Sequence, residues 1–279
     1  MIDISYNKGM LKKVIIAFTV LLALSLIACY NAVKVNTRQL NIREESIYSA
    51  KIDEDTDGLL VAYFTDLYFG EFFKESDLQN LIAKIDAFHP DLIMFGGDLA
   101  VHSAEREYLL SCLSGLDATY GKYAVSGDLD DERNKDILRE AGFVLLENDH
   151  NTIDIDRNSC INLIGLNDLV QGNPDPASAF SGVDNTRFTI VFSHCPDIFT
   201  QLNSYDFDYL LAGHSLGGQV YLPIIDLFNR PEGAKKYYKG KTTMNGKTLD
   251  ISNGVGRTGK DARFLADSEI VLYTLHSNK

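Results

Sequence analysis

Three aspartates and two histidines in this sequence stand directly after short apolar runs. Asp66 follows residues 59–64 and Asp98 follows 91–95 through Gly96-Gly97. Asp128 follows 122–125 within Ser126-Gly127-Asp128-Leu129-Asp130, His194 follows 188–192, and His214 follows 209–212 through Gly213. Carboxylate oxygens and imidazole nitrogens are the donors a divalent transition metal takes. Singly, each residue has an ordinary explanation. A Gly-Asp pair after a strand is commonly a turn or a helix cap, and a lone histidine is commonly packed or on the surface. What singles out the set is its recurrence at strand ends, because open α/β sheets bind ligands beyond the carboxyl ends of their strands.

The last of these segments also fits a different chemistry. Gly213-His214-Ser215-Leu216-Gly217 matches G-x-S-x-G, the turn that presents a nucleophilic serine. That turn needs a strand before it and a helix after it, with the acid and the histidine later in the chain. The strand is present at 208–212. The following residues 219–222 are strand formers closed by Pro223, and the only later histidine is His276, three residues from the end. A strand is therefore expected at 219–222, and Ser215 is not expected to be a nucleophile.

These residues need a scaffold, and the layout supplies one. Apolar runs at 59–64, 91–95, 122–125 and 143–146 alternate with amphipathic segments at 76–88, 104–113 and 133–141. This β-α-β-α-β-α-β order predicts an α/β fold with a largely parallel sheet. Ser76 is a candidate cap for the first helix. Residues 46–52 alternate like an edge strand. From Asn151 strands dominate, at 152–155, 160–164, 188–192, 209–211, 219–222, 248–251 and 270–275, with a short helix at 175–180.

The chain has 279 residues and a formal net charge of −13. The acidic surface argues against nucleic acid as a partner, since binding a phosphate backbone needs clustered Lys and Arg. A small phosphorylated substrate is compatible with it, because a bound metal can dominate the local field. Residues 14–29 are apolar apart from Thr19 and Ser25 and follow Lys12-Lys13. This reads as a signal peptide, an uncleaved membrane anchor, or a lipoprotein signal in which Cys29 of Leu26-Ile27-Ala28-Cys29 is lipidated. A buried core helix is the remaining alternative. Cys112, Cys160 and Cys195 show no paired spacing, and buried free thiols are the expectation. The expected organisation is a targeting or anchor segment at 1–30, a linker with an edge strand at 31–57, and one domain at 58–279.

The ordered set resembles the calcineurin-like metallophosphoesterases, whose pattern runs D-x-H, G-D, G-N-H-D/E, a histidine, then G-H-x-H. It is most similar to a bacterial membrane-associated branch with S-D-L-H, H-x-P-D and G-H-T-H-G-G-Q. Asp66, Asp98, Gly127, Asp130, His194, Pro196, Asp197, Gly213, His214, Gly217, Gly218 and Gln219 match, and the resemblance covers residues 40–276. Gly254-Val255-Gly256, Arg263-Phe264 and Glu269-Ile270 extend it. It implies two packed mixed β-sheets flanked by helices and hydrolysis of a phosphoester substrate, with two metals about 4 Å apart holding the attacking and leaving oxygens.

The departures from that pattern are concentrated. The resemblance implies a first metal at Asp66, position 68, Asp98 and position 216, and a second at Asp98, position 128, His194 and His214. Tyr68 and Leu216 replace both histidines of the first site, Asp128 replaces an asparagine of the second, and Leu129 replaces the histidine that assists the leaving group. The expectation is one ion of Mn, Fe or Zn per chain, divalent or ferric, with Tyr68 a possible further ligand to ferric iron. Loss of a general acid typically costs ~10²–10⁴-fold in rate, so weak activity or a purely binding role follows. The substrate would be a phosphoester, lipid or envelope linked, met outside the cytoplasm by a membrane-anchored protein.

Overall fold

The apolar runs of the first half become inner strands of a sheet. The structure, a computed structural model, describes residues 4–99, 106–156, 159–222 and 230–278. Its elements begin with α1 (Ile4–Tyr30), β1 (Leu40–Ser49), β2 (Leu60–Phe64), α2 (Glu75–Phe88), β3 (Leu92–Phe95), α3 (Arg106–Ser114), β4 (Lys122–Ala124), α4 (Glu132–Glu140) and β5 (Phe143–Leu145). They continue with β6 (Asp149–Asp154), β7 (Cys160–Gly165), α5 (Pro176–Ala179), β8 (Thr189–Phe192), β9 (Tyr209–Ala212), β10 (Gly240–Met244), β11 (Lys247–Ile251) and β12 (Ser268–Ser277). One six-stranded sheet has the order β1-β12-β2-β3-β4-β5 and the other β10-β11-β9-β8-β7-β6. β2 to β5 are parallel, as the alternating layout predicts, and β12 runs antiparallel beside β2.

Side-chain alternation along β2 explains the layers. Val61 and Tyr63 face the second sheet and pack with Leu163, Phe188, Ile190, Phe192 and Leu211. Ala62 and Phe64 face the other way, onto Leu78, Leu81 and Ile85 of α2 and Leu109 and Leu113 of α3. A third layer lies beyond the second sheet, where Val191, Leu210 and Leu249 meet Ile198, Phe199 and Leu202. Strands covered on both faces read as continuous apolar runs, which is why they are visible in the sequence. Across the two sheets, Arg43 of β1 and the Tyr273 hydroxyl of β12 both bond Asp250 Oδ2 of β11, at 2.9 and 2.8 Å.

Several local expectations are corrected. Residues 219–222 form no strand. A 3₁₀ turn, Leu216–Gly218, precedes them, and Val220 makes only an isolated bridge to Phe264. Leu216, Gly217 and Gln219 all have positive φ, which breaks any strand there. Pro223 and the expected helix start at Ala104 lie outside the described residues. α2 is capped at Lys74, whose N–H donates to Asp77 Oδ2, and not at Ser76. Cys195 is buried, whereas Cys112 and Cys160 are only half-buried; all three are free.

Residues Gly9–Arg38 make a helix long and apolar enough to cross a membrane, and none of its apolar window is buried. In this structure the helix is not packed into the core. Cys29 lies near the end of this helix, exposed.

Candidate metal centre

The strand-end loops are held in unusual backbone conformations. Asp66, Tyr68, Asp98, His214 and Leu216 all have φ between 47° and 67°. Non-glycine residues in this region cost of order 1–3 kcal/mol each and cluster at functional sites. The loops approach so closely that two glycines are obligatory. A Cβ on Gly127 would lie 2.2 Å from Asp98 Oδ1, and one on Gly213 would lie 2.4 Å from Asp66 Oδ2. Backbone bonds lock the first two loops together, Asp66 N to Gly97 O at 2.9 Å and Leu67 N to Asp98 O at 2.8 Å.

Asp98, Asp128, His194 and His214 each present one donor atom, and these four atoms lie within 4.8 Å of one another. His194 Nδ1 contacts the Gly96 carbonyl at 2.8 Å and His214 Nε2 contacts the Glu232 carbonyl at 2.6 Å. A carbonyl accepts, so each imidazole spends an N–H on it and turns its other nitrogen inward. Such partners orient the histidines of metal sites. The inward atoms, His194 Nε2 and His214 Nδ1, are 3.2 Å apart. His194 Nε2 is 3.3 Å from Asp98 Oδ2 and from Asp128 Oδ1, and His214 Nδ1 is 3.1 Å from Asp128 Oδ1. Those two carboxylate oxygens are buried and make no hydrogen bond of acceptable geometry. Buried orphaned oxygens facing two oriented imidazole nitrogens fit a cation with four N/O ligands.

The electrostatics agree. Burial opposes a charge on His194, but Asp98, Asp128 and Asp66 outweigh it and raise its pKa well above the ordinary value. His214 is raised in the same way, against burial, mainly by Asp128. Burial disfavours the Asp128 anion, yet its contacts with His194 and His214 pull its pKa down. A field that favours protons on these imidazoles also favours a metal cation among them.

Asp66 stands beside this cluster and not within it. Its Oδ1 is 4.0 Å from His194 Nε2 and accepts from the Tyr68 hydroxyl at 3.3 Å, while its Oδ2 accepts from His214 N at 3.0 Å. Burial and the neighbouring Asp98 and Asp66 carboxylates hold the Tyr68 phenol well above its ordinary pKa, so it remains a donor. The Leu216 side chain is buried, and Leu129 is half exposed at the mouth. Ser215 Oγ accepts from Gly217 N at 3.2 Å, no imidazole bonds it among the described residues, and no α-helix follows. The serine-nucleophile geometry is absent there.

The cluster opens into a cleft of about 550 Å³, lined by Tyr68, Asp128, Leu129, His214, Leu216, Gln219, Leu222, Tyr238 and Lys260 among others. Three supports of the site had no assigned role in the sequence. Asp130 accepts from the N–H groups of Asp98, Leu99 and Gly127, all at 2.8 Å. Burial and the charge of Asp98 push its pKa up to about 6. Asp197 accepts from the N–H groups of Lys235, Lys236 and Tyr237, fixing the loop whose Glu232 carbonyl orients His214. Arg263, fully buried, donates to five carbonyls, those of Leu216, Asn253, Gly254, Gly256 and Ala266. The motif residues around Asp130, Asp197 and Arg263 were the available signal; the Glu232 carbonyl is backbone and leaves none.

No family model matches the chain. Individual proteins do. The metallophosphoesterase YkuE of Bacillus subtilis is 30% identical over 242 residues, covering 84% of this chain and 85% of the relative. The phosphodiesterase YaeI of Escherichia coli is 27% identical over 207 residues, covering 70% of this chain and 74% of the relative. The UDP-2,3-diacylglucosamine pyrophosphatase LpxG of Chlamydia trachomatis is 27% identical over 220 residues, covering 60% and 66%. With the two-sheet fold and the strand-end aspartates and histidines already in place, the chain belongs to the calcineurin-like metallophosphoesterases, hydrolases of phosphoesters.

Proposed function

We propose that this chain hydrolyses a phosphoester outside the cytoplasm with a reduced, one-ion site at Asp98, Asp128, His194 and His214, tethered to a membrane through α1. The observation that carries this reading is the convergence of four donor atoms within 4.8 Å, next to a position where Tyr68 and Leu216 stand in place of histidines. A transition metal bound there supplies Lewis acidity and a lowered pKa for bound water. The Gly96 and Glu232 carbonyls orient the His194 and His214 imidazoles as donors. Asp128 adds a carboxylate where the family has a neutral amide, so the donor set carries two negative charges and lowers the net charge of a divalent ion to zero. That weakens acidification of water, and Leu129 offers no proton to a leaving oxygen. The Tyr68 hydroxyl, kept protonated, is a neutral donor beside Asp66 on a residue that lines the cleft.

The test is metal analysis of the purified full chain, beside hydrolysis of an aryl phosphodiester and an aryl phosphomonoester. About one Mn, Fe or Zn per chain with slow turnover agrees with the reading. One bound ion without any turnover would favour a binding protein, for which the aliphatic Leu129 at the site mouth is the structural argument. Two tightly bound ions with fast turnover would show that Tyr68 serves a complete site.

A further inference from the structure

The strand register says on which side of the molecule the N-terminal helix leaves. β12 pairs antiparallel with β2 through Val271 and Tyr63, so Ser268, three residues earlier, lies level with Asp66 beyond the carboxyl end of β2. β1 runs parallel to β12 with Leu40 opposite Ser268. Leu40 is thus two strands away from Asp66 on the same rim, about 10 Å at the usual strand spacing. The chain enters the domain from α1 on the face that carries the metal centre.

Hydrogen bonds fix that entry to the wall of the cleft. Arg263 N donates to Ala32 O at 2.8 Å, Asn36 Nδ2 donates to Arg263 O at 3.0 Å, and Arg257 Nη1 donates to Thr37 O at 2.7 Å. Thr258, Gly259 and Lys260, between those two arginines, line the cleft. The apolar run ends in exposed Tyr30, followed by exposed Lys34 and Arg38. An aromatic residue and then basic residues mark the level of the membrane interface. Either fate of the N-terminus, an uncleaved span or a lipid on Cys29, leaves residues 30–34 at that level.

At the same level the rim exposes apolar side chains. Leu265, two residues after Arg263, is 59% exposed and held at φ 53°, and Leu222 on the cleft wall is 40% exposed. The bridge from Val220 to Phe264 brings their two segments side by side. An exposed leucine in the left-handed region gains no packing for its strain within the protein. Insertion into a bilayer interface would supply it.

We infer that the cleft mouth rests on the bilayer that α1 enters, with Leu265 and Leu222 among the lipid headgroups, so that the site meets phosphoesters held at that surface. This rests on the membrane tether in the function proposed above, and the experiment separates the two. The full chain is reconstituted in nanodiscs of phosphatidylethanolamine and phosphatidylglycerol, with photoreactive p-benzoylphenylalanine in place of Leu21, Leu265 or Val144 in turn. Val144 is an exposed apolar residue on β5, at the sheet edge opposite β1. Lipid adducts at positions 21 and 265 but not 144 are expected. Adducts at 21 without adducts at 265 would overturn the inference and leave the tether standing. Adducts at none would overturn both, and equal adducts at 144 and 265 would show contact without a preferred face. A second readout is Leu265→Glu. It should lower kcat/KM about 10-fold for an aryl phosphodiester carrying an acyl chain in the nanodisc, the scale of one leucine removed from an apolar contact. The same head group without the chain, in solution, should be turned over unchanged; an equal loss on both substrates would count against the inference.

Discussion

His214 and Ser215 are neighbours in one motif with opposite roles. The imidazole of His214 is clamped between the Glu232 carbonyl and the inward cluster, whereas the Ser215 hydroxyl only closes the turn at Gly217 N. Ser215→Ala should therefore keep metal content and any hydrolysis within about twofold, since a solitary hydrogen bond in a turn is worth about 1 kcal/mol. His214→Ala should lose most of the bound metal, read by elemental analysis after desalting. Labelling of Ser215 by a serine-reactive phosphonate would reverse this assignment. The replaced positions predict a gain as well. Tyr68→His, Asp128→Asn, Leu129→His and Leu216→His together restore the donors of a two-metal site, so metal content should rise toward two and aryl phosphodiester hydrolysis should increase. An unchanged metal content in a folded quadruple variant would mean that the backbone, and not the side chains, limits the site. Asp66, Asp98, Asp128, His194 and His214 were legible because each follows a strand that reads as an apolar run. The carbonyls that orient the two imidazoles were not, because a backbone oxygen leaves no mark on sequence.

The loops that carry these residues are held from behind by one arginine. Among the described residues, Arg263 donates to carbonyls and to no carboxylate. Burial lowers its pKa to about 10, and its charge is shared among five carbonyls of the 213–219 and 253–266 segments. Arg263→Met would fill a similar volume and remove the donor to the Asn253, Gly256 and Ala266 carbonyls, at about 1–3 kcal/mol for each one that water cannot reach, whereas Leu216 O and Gly254 O keep Gln219 N and Glu269 N. The expected result is a lower urea midpoint by several kcal/mol of stability and weaker metal retention. Stability unchanged within about 1 kcal/mol would show that the loops hold themselves. Gly127→Ala tests the same packing from the front, because its methyl group would displace Asp98. The inner strands of both sheets were legible from apolar runs. Two elements were not. β10, Gly-Lys-Thr-Thr-Met, is an exposed edge without an apolar run, held by pairing to β11. Residues 219–222 have the composition of a strand, but the positive φ of Leu216, Gly217 and Gln219 turns the chain away and leaves only the Val220 bridge. Tertiary contacts at the site override local preference there.

At the scale of the whole molecule, the domain begins after α1. α1 exposes its apolar side chains and contributes none of its described residues to the three packed layers, so its removal should cost the fold little. Its 27 residues span about 40 Å at 1.5 Å per residue, more than the hydrocarbon thickness of a bilayer, and in water that surface would drive aggregation. A chain beginning at Asn31 should therefore be soluble without detergent and keep the full thermal midpoint. It retains Ala32 O, Asn36 and Thr37 O, the partners of Arg263 and Arg257. A chain beginning at Leu40 loses all three and leaves a buried guanidinium nitrogen and the Arg263 N–H without acceptors. At about 1–3 kcal/mol for each of the two buried groups left unsatisfied, and about 2–4 °C per kcal/mol for a domain of this size, its midpoint should fall by about 4–24 °C. Thermal unfolding of the two chains, followed by circular dichroism in the same buffer, makes the comparison. Equal midpoints would mean that the 31–39 segment is only a tether. Precipitation of the chain beginning at Asn31 would mean that α1 covers part of the domain in solution, and the boundary would then lie before Ile4.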